Sequence, residues 1–156
     1  MISKISWKSW FTSVAALFLL PVALGFSQPI SGGISVTVFE SPTWGCCSKW
    51  VGYLQENGFK IEKRDVSESQ MDAINLKHGV PPQLRECHLA LVEGYVIAGH
   101  VPVDEIRRLL KEKPSIVGLA VRGMPIGSPG MKGPNPEPYD VLAFDRQGQV
   151  SIYARK

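Results

Sequence analysis

The sequence predicts an α/β fold in which helices flank a mixed sheet, and three observations carry that expectation. Ile34, Val36 and Val38 alternate with polar residues, and Trp50, Val51 and Leu54 then recur at helical spacing. The same succession repeats across Phe59 to Val66 and Glu68 to His78. After a proline break come two β-prone runs, Leu89 to Val92 and Tyr95 to Ala98, and a further amphipathic helix.

Ile34 to Phe39 reads as the first strand, and a helix follows from about Cys46 to Asn57, where Gly58 supplies a left-handed stop. Phe59 and Ile61 alternate against Lys60 and Glu62 in the second strand. Ser67-Glu68-Ser69-Gln70 has the form of a capping box, which starts a second helix at Glu68; His78 lies at its end, where a cation complements the helix dipole, and Gly79 stops it. Val80-Pro81-Pro82 breaks the pattern, and proline makes a cis bond affordable at either X-Pro position. Glu93-Gly94 joins the next two strands in a tight hairpin. Pro102 suits the first turn of a third helix, with Val103, Ile106, Leu109 and Leu110 as its buried stripe and Pro114 as its end. Gly123 to Pro138 is too rich in glycine and proline for regular structure. Val141 to Phe144 and Val150 to Tyr153 then form a C-terminal hairpin on the same domain. The order βαβα, proline turn, ββα is that of a thioredoxin-like layout.

Residues 1–27 have the three parts of a secretory signal: Lys4 and Lys8, an apolar run from Val14 to Leu24, and Gly25 and Ser27 spaced for cleavage before Gln28. The run is short for a membrane span and carries Pro21, although an uncleaved anchor is the alternative and would be the chain's one tie to a membrane. No cysteine lies near the processing site, which argues against a lipoprotein. A linker over 28–33 and one domain over 34–156 complete the organisation, with no internal repeat. Without the signal's two lysines, 15 basic residues face 14 acidic ones, so charge gives a nucleic-acid partner no support. The chain is therefore read as an exported protein.

Cys46 and Cys47 open the first helix, where amide N–H groups and the dipole favour the thiolate that binds soft metals and attacks disulfides. A bridge between these neighbours would be strained, and an oxidising compartment favours pairing. Either one of them pairs with Cys87 and a third thiol remains, or all three stay reduced on a metal; a structural disulfide with one buried cysteine is the plainer alternative. In a thioredoxin-like layout the helix start and the proline turn share one end of the sheet, so the three sulfurs converge. Such ligands select Cu(I), with Zn the other candidate.

Met124 and Met131 lie in a loop, where thioethers would favour Cu(I) over zinc and gap-filling is the competing reading; Met71 is assigned to the core. His88 follows Cys87 and His100 precedes the third helix, so each is a candidate metal ligand or a support for one, with a structural hydrogen bond the competing reading. Trp50 and Tyr53 are read as packing residues, and Arg107, Arg108, Lys111 and Lys113 as a solvated helix face. Hydrolase constellations and a phosphate-binding Gly-x-x-x-x-Gly-Lys loop are lacking in the sequence. Thiol-disulfide exchange normally needs Cys-x-x-Cys, but position 44 is Trp and position 49 is Lys, so an oxidoreductase would use Cys46 or Cys47 with Cys87 as the resolving thiol.

From Pro42-Thr43-Trp44-Gly45-Cys46-Cys47-Ser48-Lys49-Trp50 onward the sequence resembles the CopG-type copper-resistance family, exported metal-binding proteins once known only as a domain of unknown function. The match continues through Gly79-Val80-Pro81, Cys87-His88, Gly94-Tyr95, Gly99-His100-Val101-Pro102, Arg108-Leu109-Leu110, the run from Gly123 to Met131, and the closing segment from Tyr139 to Tyr153. The resemblance implies a thioredoxin-like fold, export and copper handling, with copper ions and other periplasmic copper-handling proteins as partners. Carried over residue by residue, it retains Cys46, Cys47 and Cys87 as principal ligands, with Met124, Met131, His88 and His100 as contributors. The family usually carries Cys-Gly-Cys-Cys, and Trp44 replaces the first cysteine here, which implies fewer coppers, weaker binding or a changed task. The reading is of a metal-binding protein rather than an enzyme. Its alternatives are the oxidoreductase and a non-metal binding module using the Trp44 region as a contact surface.

Overall fold

The computed structural model describes residues 33–41 and 45–156, apart from the side chains of Cys46 and Cys47. The expected signal, nearly all of the linker, and the Trp44 surface lie outside the described residues.

Among the described residues, seven strands and three helices follow in the order β1 (Ser35–Glu40), α1 (Gly45–Glu56), β2 (Lys60–Asp65), α2 (Glu68–Lys77), β3 (His88–Val92), β4 (Tyr95–Ala98), α3 (Val103–Glu112), β5 (Gly118–Ala120), β6 (Asp140–Phe144) and β7 (Val150–Arg155). A short 3-10 turn, Pro82–Leu84, precedes β3. The strands form one mixed sheet ordered β2-β1-β3-β4-β5-β6-β7. Pairs β1/β2 and β4/β5 are parallel and the rest antiparallel. The α/β class, the mixed sheet and the C-terminal hairpin are as the sequence predicts.

Alternation along the strands sends side chains to two cores. On one face Val36, Val38, Ala90, Val92, Ile97 and Leu119 meet Trp50, Val51 and Leu54 of α1 and the stripe Val103, Ile106, Leu109 and Leu110 of α3. Each fully buried aliphatic side chain in that stripe contributes about 1.5–3 kcal/mol relative to exposure. On the other face Leu89, Val96, Ala98 and Phe144 pack with Met71 of α2, Val80 and Leu84. The capping box at α2 is complete, with the Gln70 amide donating to Ser67 Oγ and the Ser67 amide to Gln70 Oε1.

Four local expectations change. All described peptide bonds are trans, including those of Val80-Pro81-Pro82. Pro102 is the N-cap of α3 rather than a first-turn residue, and its carbonyl accepts from the Glu105 and Ile106 amides. His78, at the C-cap of α2, is held below the usual imidazole range by burial and then by Lys77, so it is poorly suited to balance the dipole as a cation. Finally β5 was not expected, and it joins the C-terminal hairpin to the sheet through β6. Gly118 makes this possible, because a Cβ there would lie 2.0 Å from the Val96 carbonyl oxygen across the β4–β5 pair.

Candidate metal site at one end of the sheet

Strand direction decides which residues can meet. β1 delivers its C-terminal end toward the start of α1; β3 runs antiparallel to it and so begins at the same end, with Glu40 opposite His88. β4 returns to that end and continues into Gly99 and His100, and β5, parallel to β4, also finishes there, ahead of Gly123 and Met124. Topology therefore gathers the segments carrying Cys87, His88, His100 and Met124 beside the first turns of α1.

Trp50 is the hinge of this arrangement. Its indole is fully buried, donates Nε1–H to the Val101 carbonyl at 3.0 Å, and faces the His88 ring with centroids 4.6 Å apart. Cys46 and Cys47 lie one turn earlier on the same helix, and Cys87 immediately precedes His88. The cysteine-bearing ends of α1 and β3 are thus neighbours. The Gly/Pro-rich loop closes over α1 at Gly130, where a Cβ would come within 3.0 Å of the Trp50 amide nitrogen. Met131 follows, its amide donating to the Ser128 carbonyl.

The two histidines are chemically distinct. His88 Nε2 is 3.0 Å from the Gly99 carbonyl, which only accepts, so Nε2 carries the proton. Its Nδ1 lies 3.6 Å from Cys87 Sγ, and both ring nitrogens are engaged. His100 Nδ1 donates to the Pro129 carbonyl at 2.8 Å, leaving Nε2 as the lone-pair nitrogen of the neutral ring. That Nε2 is buried and, among the described residues, has no hydrogen-bond partner, on a side chain with 0% exposure, and the two imidazoles are 5.3 Å apart. An orphaned buried acceptor is costly in an ordinary core, and this one suits a metal or a donor from a ligand.

Cys87 is half-buried and shares a surface cavity of about 390 Å³ with Met124. Burial pushes the neighbouring Glu86 carboxyl above its ordinary range and Cys87 adds to the rise, while the Gly123 amide, His100 and Arg122 oppose it. Among the described residues, no group of three or more His, Cys, Asp or Glu could by itself hold a metal ion.

Sequence reasoning missed Glu40. It is 1% exposed, one carboxylate oxygen pairs with Lys63, and the other has no hydrogen-bond partner among the described residues. The signal was present: Glu40 continues the inward parity of Val36 and Val38, which places an acid on the buried face at the end that bears the site.

The family model described as "Protein of unknown function, DUF411" matches residues 84–131, the stretch from the end of the proline turn through Met131. The search of the curated proteins finds no match. Two solved structures are similar over most of the chain. One, described as copper resistance protein CopG, form 1, is 36% identical with a TM-score of 0.74, covering 80% of this chain and 98% of that one. Form 2 of the same protein is 37% identical with a TM-score of 0.72 and the same coverage. At that identity and coverage, the chain with Cys87-His88 and Gly99-His100 at one end of its sheet belongs to the CopG copper-resistance family.

Proposed function

We propose that this protein is exported to the periplasm and binds Cu(I) as cargo, through the thiolates of Cys46, Cys47 and Cys87, for copper sequestration, transfer or resistance. The observation that carries the proposal is the contact of Trp50, one turn into α1 from Cys46 and Cys47, with His88, the residue next to Cys87. Soft sulfur donors on two adjoining segments select Cu(I) over harder ions, and zinc is the competitor that thiolates also hold. Membership of a family that includes a copper resistance protein supports the choice of metal.

Among the contributing residues, His100 is the better nitrogen donor because its buried Nε2 has a lone pair and no partner among the described residues. His88 is the better positioning residue, since one nitrogen is held by Gly99 and the other lies against Cys87. Met124 shares the cavity of Cys87, and Met131 follows the glycine that seals the loop on α1.

Native mass spectrometry of the reduced protein with Cu(I) tests this reading. Copper loading that falls when all three cysteines become serine supports it, and undiminished loading in that variant contradicts it. The Cys87–His88 contact also favours a second reading, a thiol oxidoreductase with Cys87 as partner of Cys46 or Cys47. Insulin reduction, or a trapped mixed disulfide at Cys46 or Cys47, separates the two.

A further inference from the structure

Met71, which the sequence assigns to the core, also lines the cavity that holds Cys87 and Met124. Three sulfur-bearing residues, from α2, the position before β3 and the loop after β5, therefore line one space of about 390 Å³. On α2 the cavity wall is formed by Glu68, Met71, Asp72 and Asn75, whose spacing is one helix face. On that face Met71, a residue 8% exposed, has the solvent-exposed acids Glu68 and Asp72 one turn before and one residue after it. Asn75 Nδ2 donates to the Met71 carbonyl at 3.0 Å and stiffens this turn. On the opposite wall the Gly123 amide donates to Glu86 Oε1 at 2.8 Å, which ties the backbone preceding Met124 to the residue preceding Cys87. Arg85 also borders the cavity, with its Nε directed to the Val80 carbonyl at 3.4 Å.

We propose that Met71 and Met124 form a thioether transit site for Cu(I), through which the ion passes between solvent and Cys87. Thioethers are neutral and soft, so they take Cu(I) without releasing a proton, hold it less firmly than a thiolate, and discriminate against Zn(II). Glu68 and Asp72 at the rim favour arrival of a cation, and the neighbouring thiol gives the ion a stronger destination. The direction of travel rests on the copper reading of Cys87, but the thioether pair binds whether or not any cysteine is present. If Met71 only fills space among Leu84, Leu89 and Phe144, its methyl will ignore soft metals.

The test uses the full chain with Cys46→Ser, Cys47→Ser and Cys87→Ser, labelled at the methionine ε-methyl groups and titrated with Ag(I), a redox-inert counterpart of Cu(I), in halide-free buffer. The Met71 and Met124 methyl resonances should shift together with one dissociation constant, with Met131 unmoved in that concentration range and Zn(II) moving neither. Met71→Leu, which keeps apolar volume, should weaken the Met124 response at least about tenfold, and Met124→Leu should do the same to Met71. Should the triple serine variant fail to fold, the full chain with Cys46→Ala, Cys47→Ala and Cys87→Ala gives the same readout. Silent methyls, or two unrelated dissociation constants, overturn the proposal. Failure of the cysteine reading appears elsewhere, as undiminished copper loading in the triple variant, so the two outcomes are distinguishable.

Discussion

The indole of Trp50 and the imidazole of His88 lie face toward face, centroids 4.6 Å apart and tilted by 32°. This contact couples the helix that begins with two cysteines to the strand that begins after the third. Trp50→Phe removes the donor to the Val101 carbonyl and leaves that acceptor buried, at a cost of about 1–3 kcal/mol. Chemical denaturation should show the loss as a lower midpoint with an unchanged slope. Copper stoichiometry should stay the same while affinity falls, because the ring sets the placement of the segments rather than ligating.

Gly99 is the second structural keystone. Its φ is +71°, a Cβ would meet the Val121 carbonyl oxygen at 2.4 Å, and its own carbonyl accepts from both His88 Nε2 and the Val101 amide. Gly99→Ala should therefore destabilise the fold by about 1–3 kcal/mol through backbone strain. It should also disturb the His88 ring, read as a change in the imidazole proton resonances, whereas Gly52→Ala, with open space at its Cβ, should leave those resonances in place.

His78 gives a pH signature away from the site. Burial and then Lys77 lower its folded pKa, so between that value and about 6.5 the unfolded chain binds more protons. The sign follows: stability is intact above about pH 6.5 and falls as pH drops toward the folded pKa. The side chain is partly exposed, so the effect is small. His78→Gln should flatten this part of the stability profile in thermal melts between pH 5 and pH 7, and an identical slope in the variant would assign the loss to other groups.

Trp44 stands where the family resemblance places the first cysteine of Cys-Gly-Cys-Cys. Restoring it with Trp44→Cys should raise the number of Cu(I) ions bound per chain or tighten their retention against a competing chelator. Mass spectrometry and competition titration read the two effects separately.

Much of the fold was legible because its signals are local. The capping box at Ser67, the Glu93-Gly94 turn with both φ values positive, and the stripe of α3 each specify their element from neighbouring residues. β5 was not legible, because Gly118-Leu119-Ala120 is too short to show a period and exists through pairing with Val96–Ala98 and β6. The site divides in the same way. That Cys87, His88 and His100 share one end follows from strand order, which the sequence suggested. The different roles of the two histidines depend on the carbonyls of Gly99 and Pro129, and the cavity of Met71 depends on which face α2 turns inward. Those are tertiary facts without a local pattern. Glu40 was passed over although its parity marked it, since an acid ending a strand reads as a solvent-facing terminus.

The most direct measurement of the central claim is a competitive Cu(I) titration of the Cys87→Ser variant beside the wild-type protein, under reducing, oxygen-free conditions. If Cys87 joins Cys46 and Cys47 around the same ion, the single substitution should weaken Cu(I) binding by roughly tenfold or more. An affinity equal to that of the wild type would place Cys87 outside the copper site and contradict the account.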